Sequence, residues 1–354
     1  MKTYFTQLEQ AMAQTPSFDG QIAKLIHLTN AHGMTASFMD IGATWLSCTL
    51  PLDGQRREVL LRSPTMAEHM KQDAYFGSIV GRFANRIAKG QFEVDGKRYQ
   101  VGVNNGENSL HGGLEGFDKK RWTVVECSEN QVVFSLRSQD CDQGYPGNLD
   151  IKVTYTLTDA NELSIAYEAY TDKTCPVNLT NHAYFNLAGE DSGAKSLDHT
   201  LQLNADYYLP TDSGLIPTGE KKPVFGTSFD FTQPKRIGDE FLSEQDQKTA
   251  SGYDHTFVFK PEVIDGVSTA VVLIAPKEDV IMKVVTTKPA IQFYSGNFLA
   301  GTPGVSKTYE LYDGLALETQ YFPDGPNKPE WGLNSGVLNS GDCYQHQTVY
   351  QFEF

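Results

Sequence analysis

The sequence predicts an all-β protein, one large and mostly antiparallel β sandwich with few short helices, running as a single domain over residues 1–354. Three observations lead there. Short runs rich in Val, Ile, Thr, Tyr and Phe alternate apolar and polar residues with period two, as strands with one buried face do. Helical periodicity is scarce. The 31 glycines and 16 prolines are scattered rather than gathered into a linker, so no break in composition marks a second domain. A chain of 354 residues buries a sizeable core without disulfides or metal.

Taken in order, the first dozen residues and 65–72 are the candidate helices. Segments 91–94 and 97–101 form a predicted hairpin, because Asp95-Gly96 between them suits a two-residue turn with positive φ. Residues 131–137, 151–158 and 163–171 read as strands, the last two joined by a turn at 158–161. Further strands are predicted at 199–203, 270–275, 280–286, 290–295, 314–319 and 347–354. The polar, Pro- and Gly-punctuated stretch 206–250 reads as long loops, which on a β scaffold often build a binding face.

Charge and composition exclude several functions. With 29 Lys+Arg against 44 Asp+Glu the net charge is −15. Such a surface lacks the basic footprint that nucleic acid or an anionic membrane requires. Five cysteines, an odd number without C-x-x-C spacing, indicate neither a disulfide framework nor a zinc cluster. The N-terminus has no continuous apolar core of a signal peptide, and no run approaches the ~20 apolar residues of a membrane helix. Asn178-Leu179-Thr180 matches a glycosylation acceptor, which chance explains in a chain read as cytoplasmic and soluble. Dinucleotide, P-loop, zincin and nucleophile-elbow motifs are absent.

Four segments set ionisable and amide residues among aromatics and glycines: Gly81-Arg82-Phe83-Ala84-Asn85-Arg86-Ile87; Asn108-Ser109-Leu110-His111-Gly112-Gly113; 178–187 around Asn181-His182; and a dispersed set of Gly252-Tyr253-Asp254-His255, Gln292-Phe293-Tyr294 and Leu317-Glu318-Thr319-Gln320. A strand histidine taken alone is more often structural than catalytic. Alternation puts Glu318 on the face of Ala316, opposite Leu315 and Leu317. Either a site carboxylate or a solvent-facing glutamate on an edge strand satisfies that pattern.

Together, in order and spacing, G-R-F-A-N-R-I, N-S-L-H-G-G, N-L-T-N-H-A-Y-F-N-L, G-Y-D-H-T-F, Q-F-Y-S-G-N-F and A-L-E-T-Q-Y-F-P-D resemble the aldose 1-epimerases, or galactose mutarotases, of the bacterial cytoplasmic type over roughly residues 20–354. The resemblance implies the galactose mutarotase-like sandwich, a free aldohexose such as galactose or glucose as small-molecule substrate, and neither cofactor nor metal. It implies Glu318 as the base at the anomeric hydroxyl and His182 as the acid at the ring oxygen. Arg86, Asn85, His111, Asp254 and Gln292 become substrate-binding residues. A separation of four residues gives Arg82 the strand parity of Arg86 and puts both on one face, where Arg82 is expected to be structural. Oligomeric state and preferred aldose stay open.

Interconverting anomers means removing a proton from the anomeric hydroxyl while the ring oxygen gains one, then reversing both on closure, so an acid and a base must be present together. A free glutamate is ionised at pH 7, but a free histidine with a pKa of about 6.5 is mostly neutral. Asp254 or Glu318 is therefore expected to favour the imidazolium of His182. Alternatives are a non-catalytic sugar-binding protein, a glycoside hydrolase using Asp254 and Glu318, and a hexose-phosphate epimerase, which would want clustered cations for the phosphate.

Overall fold

A computed structural model describes residues 2–52, 54–264 and 268–354. Two antiparallel sheets carry the architecture. The larger has nine strands in the order Thr123–Cys127, Gln131–Ser138, Leu149–Leu157, Glu162–Thr171, Cys343–Glu353, Ile281–Thr286, Val271–Ile274, Thr200–Leu203 and Lys235–Arg236. The second has six: Tyr184–Phe185, Leu315–Gln320, Ala290–Tyr294, Asp254–Phe259, Ala205–Leu209 and Lys222–Pro223.

The sheets face each other. Ile151, Val153, Tyr155, Tyr350 and Phe352 of the larger pack with Phe257, Ile291, Phe293, Leu315 and Leu317 of the smaller in one buried cluster. The interface is mostly apolar, with the Thr319 and Thr348 hydroxyls meeting across it at 2.6 Å and the Tyr350 hydroxyl donating to the Leu317 carbonyl at 3.5 Å. Burying apolar surface from both inner faces is what holds such a sandwich together.

The predicted hairpin forms as expected: Gln91–Val94 pairs with Lys97–Gln100, and Asp95 and Gly96 take φ of 52° and 69°. Both helices are present. Lys2–Ala13 lies across the N-terminal strands, its Tyr4 hydroxyl donating to Glu58 at 2.7 Å. Met66–His69 is capped by the Thr65 hydroxyl, which accepts from the Glu68 N–H.

Two expectations are corrected. The stretch 206–250 is not all loop: it overlaps the strand Ala205–Leu209 and holds the helix Gln245–Thr249. A bulge between Ala205 and Tyr207 breaks the alternation that would have revealed the strand. A four-stranded sheet of Leu25–Thr29, Thr35–Met39, Thr44–Leu52 and Gln55–Glu58 was not anticipated. Thr35–Met39 is buried at every position, its polar Thr35 and Ser37 included, so no exposed face marks the strand. No helix among the described residues is long and apolar enough to cross a membrane.

Candidate active site

Period two in the six-stranded sheet builds the floor of the site. Leu315 and Leu317, Ile291 and Phe293, and Phe257 point into the main core. Their neighbours therefore point the other way. Register then aligns Thr256 with Gln292 and Gln292 with Glu318 in one row, and Asp254 with Tyr294, Ala316 and Tyr184 in the next. Residues from 22 to 132 positions apart in the chain become cross-strand neighbours.

The opposite wall comes from irregular segments locked to one another. Arg86 pairs with Leu110, and the His111 N–H donates to the Asn85 carbonyl at 3.1 Å. Gly112 has φ of 94°, and a Cβ there would sit 1.9 Å from the Gly81 carbonyl oxygen, so the turn after His111 requires glycine. His182 is held through its backbone: its N–H donates to Ser78 O and its carbonyl accepts from Gly77 N–H, both at 2.9 Å.

Between floor and wall lies a cleft of about 950 Å³. Asn85, Arg86, His111, His182, Asp254 and Glu318 all line it. His182 Nε2 and Glu318 Oε1 are 3.4 Å apart, with both side chains almost fully buried. Arg86 faces Asp254 at 3.6 Å and donates from Nε to Asn105 at 3.2 Å. The Asn85 N–H donates to His111 Nδ1 at 3.1 Å, so a neutral His111 carries its proton on Nε2. His111, His182 and Glu318 each offer one ligand atom, all within 4.8 Å of one another, so they are also the side chains that can hold a cation.

Gln292 is not on the cleft surface. It stands one layer behind, donating from Nε2 to Asp254 Oδ1 at 2.6 Å and accepting from the Thr256 hydroxyl at 2.5 Å. It therefore fixes the Asp254 carboxylate rather than reaching into the cavity. Arg82 is structural as expected, its guanidinium spent on Ser138, Gln139 and Pro146. The shared strand face is corrected: Asn85 takes φ of 67° between the two arginines, and only Arg86 turns to the cleft. The ring of Tyr184, also on the cleft, stacks on His182 with centroids 5.1 Å apart. Tyr75, Asn105 and Tyr294 line the cleft and were not assigned a role from sequence. Tyr294 was within reach, since it shares the parity of Gln292. Tyr75 carries no sequence signal of this kind.

Burial dominates the electrostatics. It lowers His182 to about 4, with its own backbone carbonyl and Asp254 acting in the opposite sense. It raises Glu318 well above the usual carboxylate range, Asp254 adding to the rise and Arg86 opposing it. His111 is pushed well below 6.5 by burial, then by His182 and Arg86. Desolvation thus works against the expected imidazolium of His182, while Asp254 favours it. Both shifts favour the neutral form of each group, and moving one proton across the 3.4 Å from Glu318 to His182 would create the ionised base and charged acid together.

Such a site, with a carboxyl group and an imidazole buried side by side among groups able to bind hydroxyls, fits the class of enzymes that move protons on a polyhydroxylated substrate. The profile of the aldose 1-epimerase family matches residues 24–351. An aldose 1-epimerase of Escherichia coli K12 is 48% identical over 96% of this chain and 98% of its own length. A galactose mutarotase of Sus scrofa is 44% identical over 84% of this chain and 85% of its own. Among solved structures, a galactose 1-epimerase from Lactobacillus acidophilus superposes with a TM-score of 0.82 at 31% identity, covering 95% of this chain and 96% of that one. The chain belongs to the aldose 1-epimerase family, and it is an isomerase.

Proposed function

We propose that the cleft opens and recloses the ring of a free aldohexose such as galactose or glucose, with Glu318 as base and His182 as acid. The observation that carries this reading is the 3.4 Å separation of the two side chains inside one cleft. The anomeric hydroxyl and the ring oxygen are bonded to the same carbon, so a base and an acid at neighbouring positions can address both from one edge of the sugar. Glu318 takes the hydroxyl proton as His182 delivers one to the ring oxygen. The ring opens to the aldehyde, the terminal bond rotates, and the two groups exchange roles for closure. Every hydrogen moves as a proton between side chain and sugar, so the chemistry calls for no redox cofactor.

The other residues hold the sugar. Asp254 accepts from hydroxyls, while Arg86 and the Nε2–H of His111 donate to oxygen. Asn85 sets the His111 tautomer, and Gln292 sets Asp254. A sugar phosphate is poorly served. Lys71 and Arg86 are the cations among the described cleft-lining residues; Lys71 pairs with Glu68 at 3.1 Å, Arg86 faces Asp254, and Asp73 and Glu107 add negative charge. The same reading puts the protein in the cytoplasm, where its five unpaired cysteines stay reduced.

Polarimetry on freshly dissolved α-galactose and α-glucose is the test. Faster relaxation with the protein than without it is the expected result; equal rates for both sugars refute the reading. No release from a chromogenic glycoside is expected.

A further inference from the structure

The proposed reaction passes a positive charge through His182 in every turnover, in a place where burial makes that charge costly. The sequence assigned nothing to Tyr75, yet its ring is packed against this imidazole. Ring centroids of Tyr75 and His182 lie 5.8 Å apart with planes 26° from parallel, and Tyr184 stacks on His182 with the same 26° at 5.1 Å. Tyr75 also meets His111 edge-on at 4.7 Å and 62°.

The chain is committed to keeping the ring there. Tyr75 holds φ at 57°, uncommon for a bulky residue. Phe76 beside it is buried in a cluster with Tyr184, and the Gly77 N–H donates to the carbonyl of His182 itself. The Tyr75 hydroxyl accepts from Asn104 Nδ2 at 3.4 Å, and Asn104 is locked to the backbone of Leu110 on either side. It is thus the ring face, rather than the hydroxyl, that meets the catalytic histidine.

We propose that Tyr75 is a positioning residue for anomer interconversion: with Tyr184, its ring fixes the plane of the His182 imidazole and stabilises the charge that imidazole carries while delivering its proton. The inference rests on the assignment of His182 as the acid. The face of an aromatic ring attracts a cation, more strongly where water is excluded. Asp254 favours the charged imidazole, and the Glu318 carboxylate 3.4 Å away attracts the proton when ionised. A ring face adds attraction without adding a carboxylate that would compete for the sugar's hydroxyls.

The test compares kcat and KM by polarimetry for wild type, His182→Ala, Tyr75→Phe and Tyr75→Leu, with melting temperatures alongside. Tyr75→Phe keeps the π face and is expected within about twofold of wild type in both parameters. Tyr75→Leu keeps bulk but loses the face, and kcat is expected to fall roughly 5–30-fold with KM nearly unchanged. Should Tyr75→Leu fail to fold, Tyr75→Met takes its place with the same expectation. A leucine variant with wild-type kcat overturns the inference. So does a phenylalanine variant as impaired as leucine, which would transfer the role to the hydroxyl, or a change confined to KM. If His182→Ala is itself unimpaired, the acid assignment falls and this inference with it; if only Tyr75→Leu is unimpaired, the assignment of His182 stands.

Discussion

In the nine-stranded sheet, strand Leu149–Leu157 buries Leu149, Ile151, Val153, Tyr155 and Leu157 and leaves Asp150 and Lys152 in solvent. In the six-stranded sheet, Leu315–Gln320 is buried at all six positions, though Glu318, Thr319 and Gln320 are polar. Both strands alternate and both turn one face to the same core. They differ in what covers the other face: water in one case, the wall carrying His111 and His182 in the other. An exposed polar residue is what any surface strand shows, whereas a buried carboxylate must be explained by a partner or a task. Glu318 Oε2 is buried and has no hydrogen-bond partner among the described residues, so it is open to a ligand. That contrast, rather than the alternation, separates the cleft face from ordinary sheet surface.

The contrast can be broken most directly at its centre. Glu318→Ala or His182→Ala is expected to lower kcat by roughly 10²–10⁴-fold, the usual range for a general acid–base group. Wild-type turnover in the glutamate variant would return Glu318 to a structural role.

One layer separates Asp254 from Gln292, and the two should part in size. Asp254→Ala removes the acceptor proposed to hold sugar hydroxyls, and KM should rise roughly 10–100-fold. Gln292→Ala acts only by loosening that carboxylate, so a rise of roughly tenfold or less is expected. Equal effects would place Gln292 in direct contact with the sugar.

Burial also fixes the direction of the pH response. His182 is lowered to about 4 by desolvation, with Glu318, Asp254, Arg86, His111, Tyr184 and Tyr294 around it. A lowered pKa means the second proton enters the pair only at lower pH, so the acid limb of kcat/KM should lie below 6.5. The loss of the Glu318 proton should lie above the ordinary carboxylate range, because Glu318 is raised. An acid limb at or above 6.5 would show that the cleft is wetter than its geometry suggests.

At the far side of the comparison, Lys152→Gln on the solvent face of the larger sheet should change stability by no more than about 0.5 kcal/mol and leave kcat untouched. A large effect there would mean that the outer face is also a working surface.

Much of the fold was legible wherever one face of a strand met water. The hairpin at Asp95-Gly96, the strands around 131–171 and the orientation of Glu318 follow from local pattern alone. Thr35–Met39, buried on both sides, offered no pattern to read, and the bulge near Tyr207 disguised another strand. At the site, six of the seven residues named from sequence line one cleft, and the seventh, Gln292, supports one of them.

Residue types, their spacing and their side of a strand are properties of the chain, because period two and turn chemistry act over a few residues. Which distant segments meet, that Arg86 and not Arg82 turns inward, that Tyr75 lies on an imidazole, and which charge states burial favours are decided only by packing. Desolvation depends on everything that surrounds a group, and no stretch of sequence holds that information by itself.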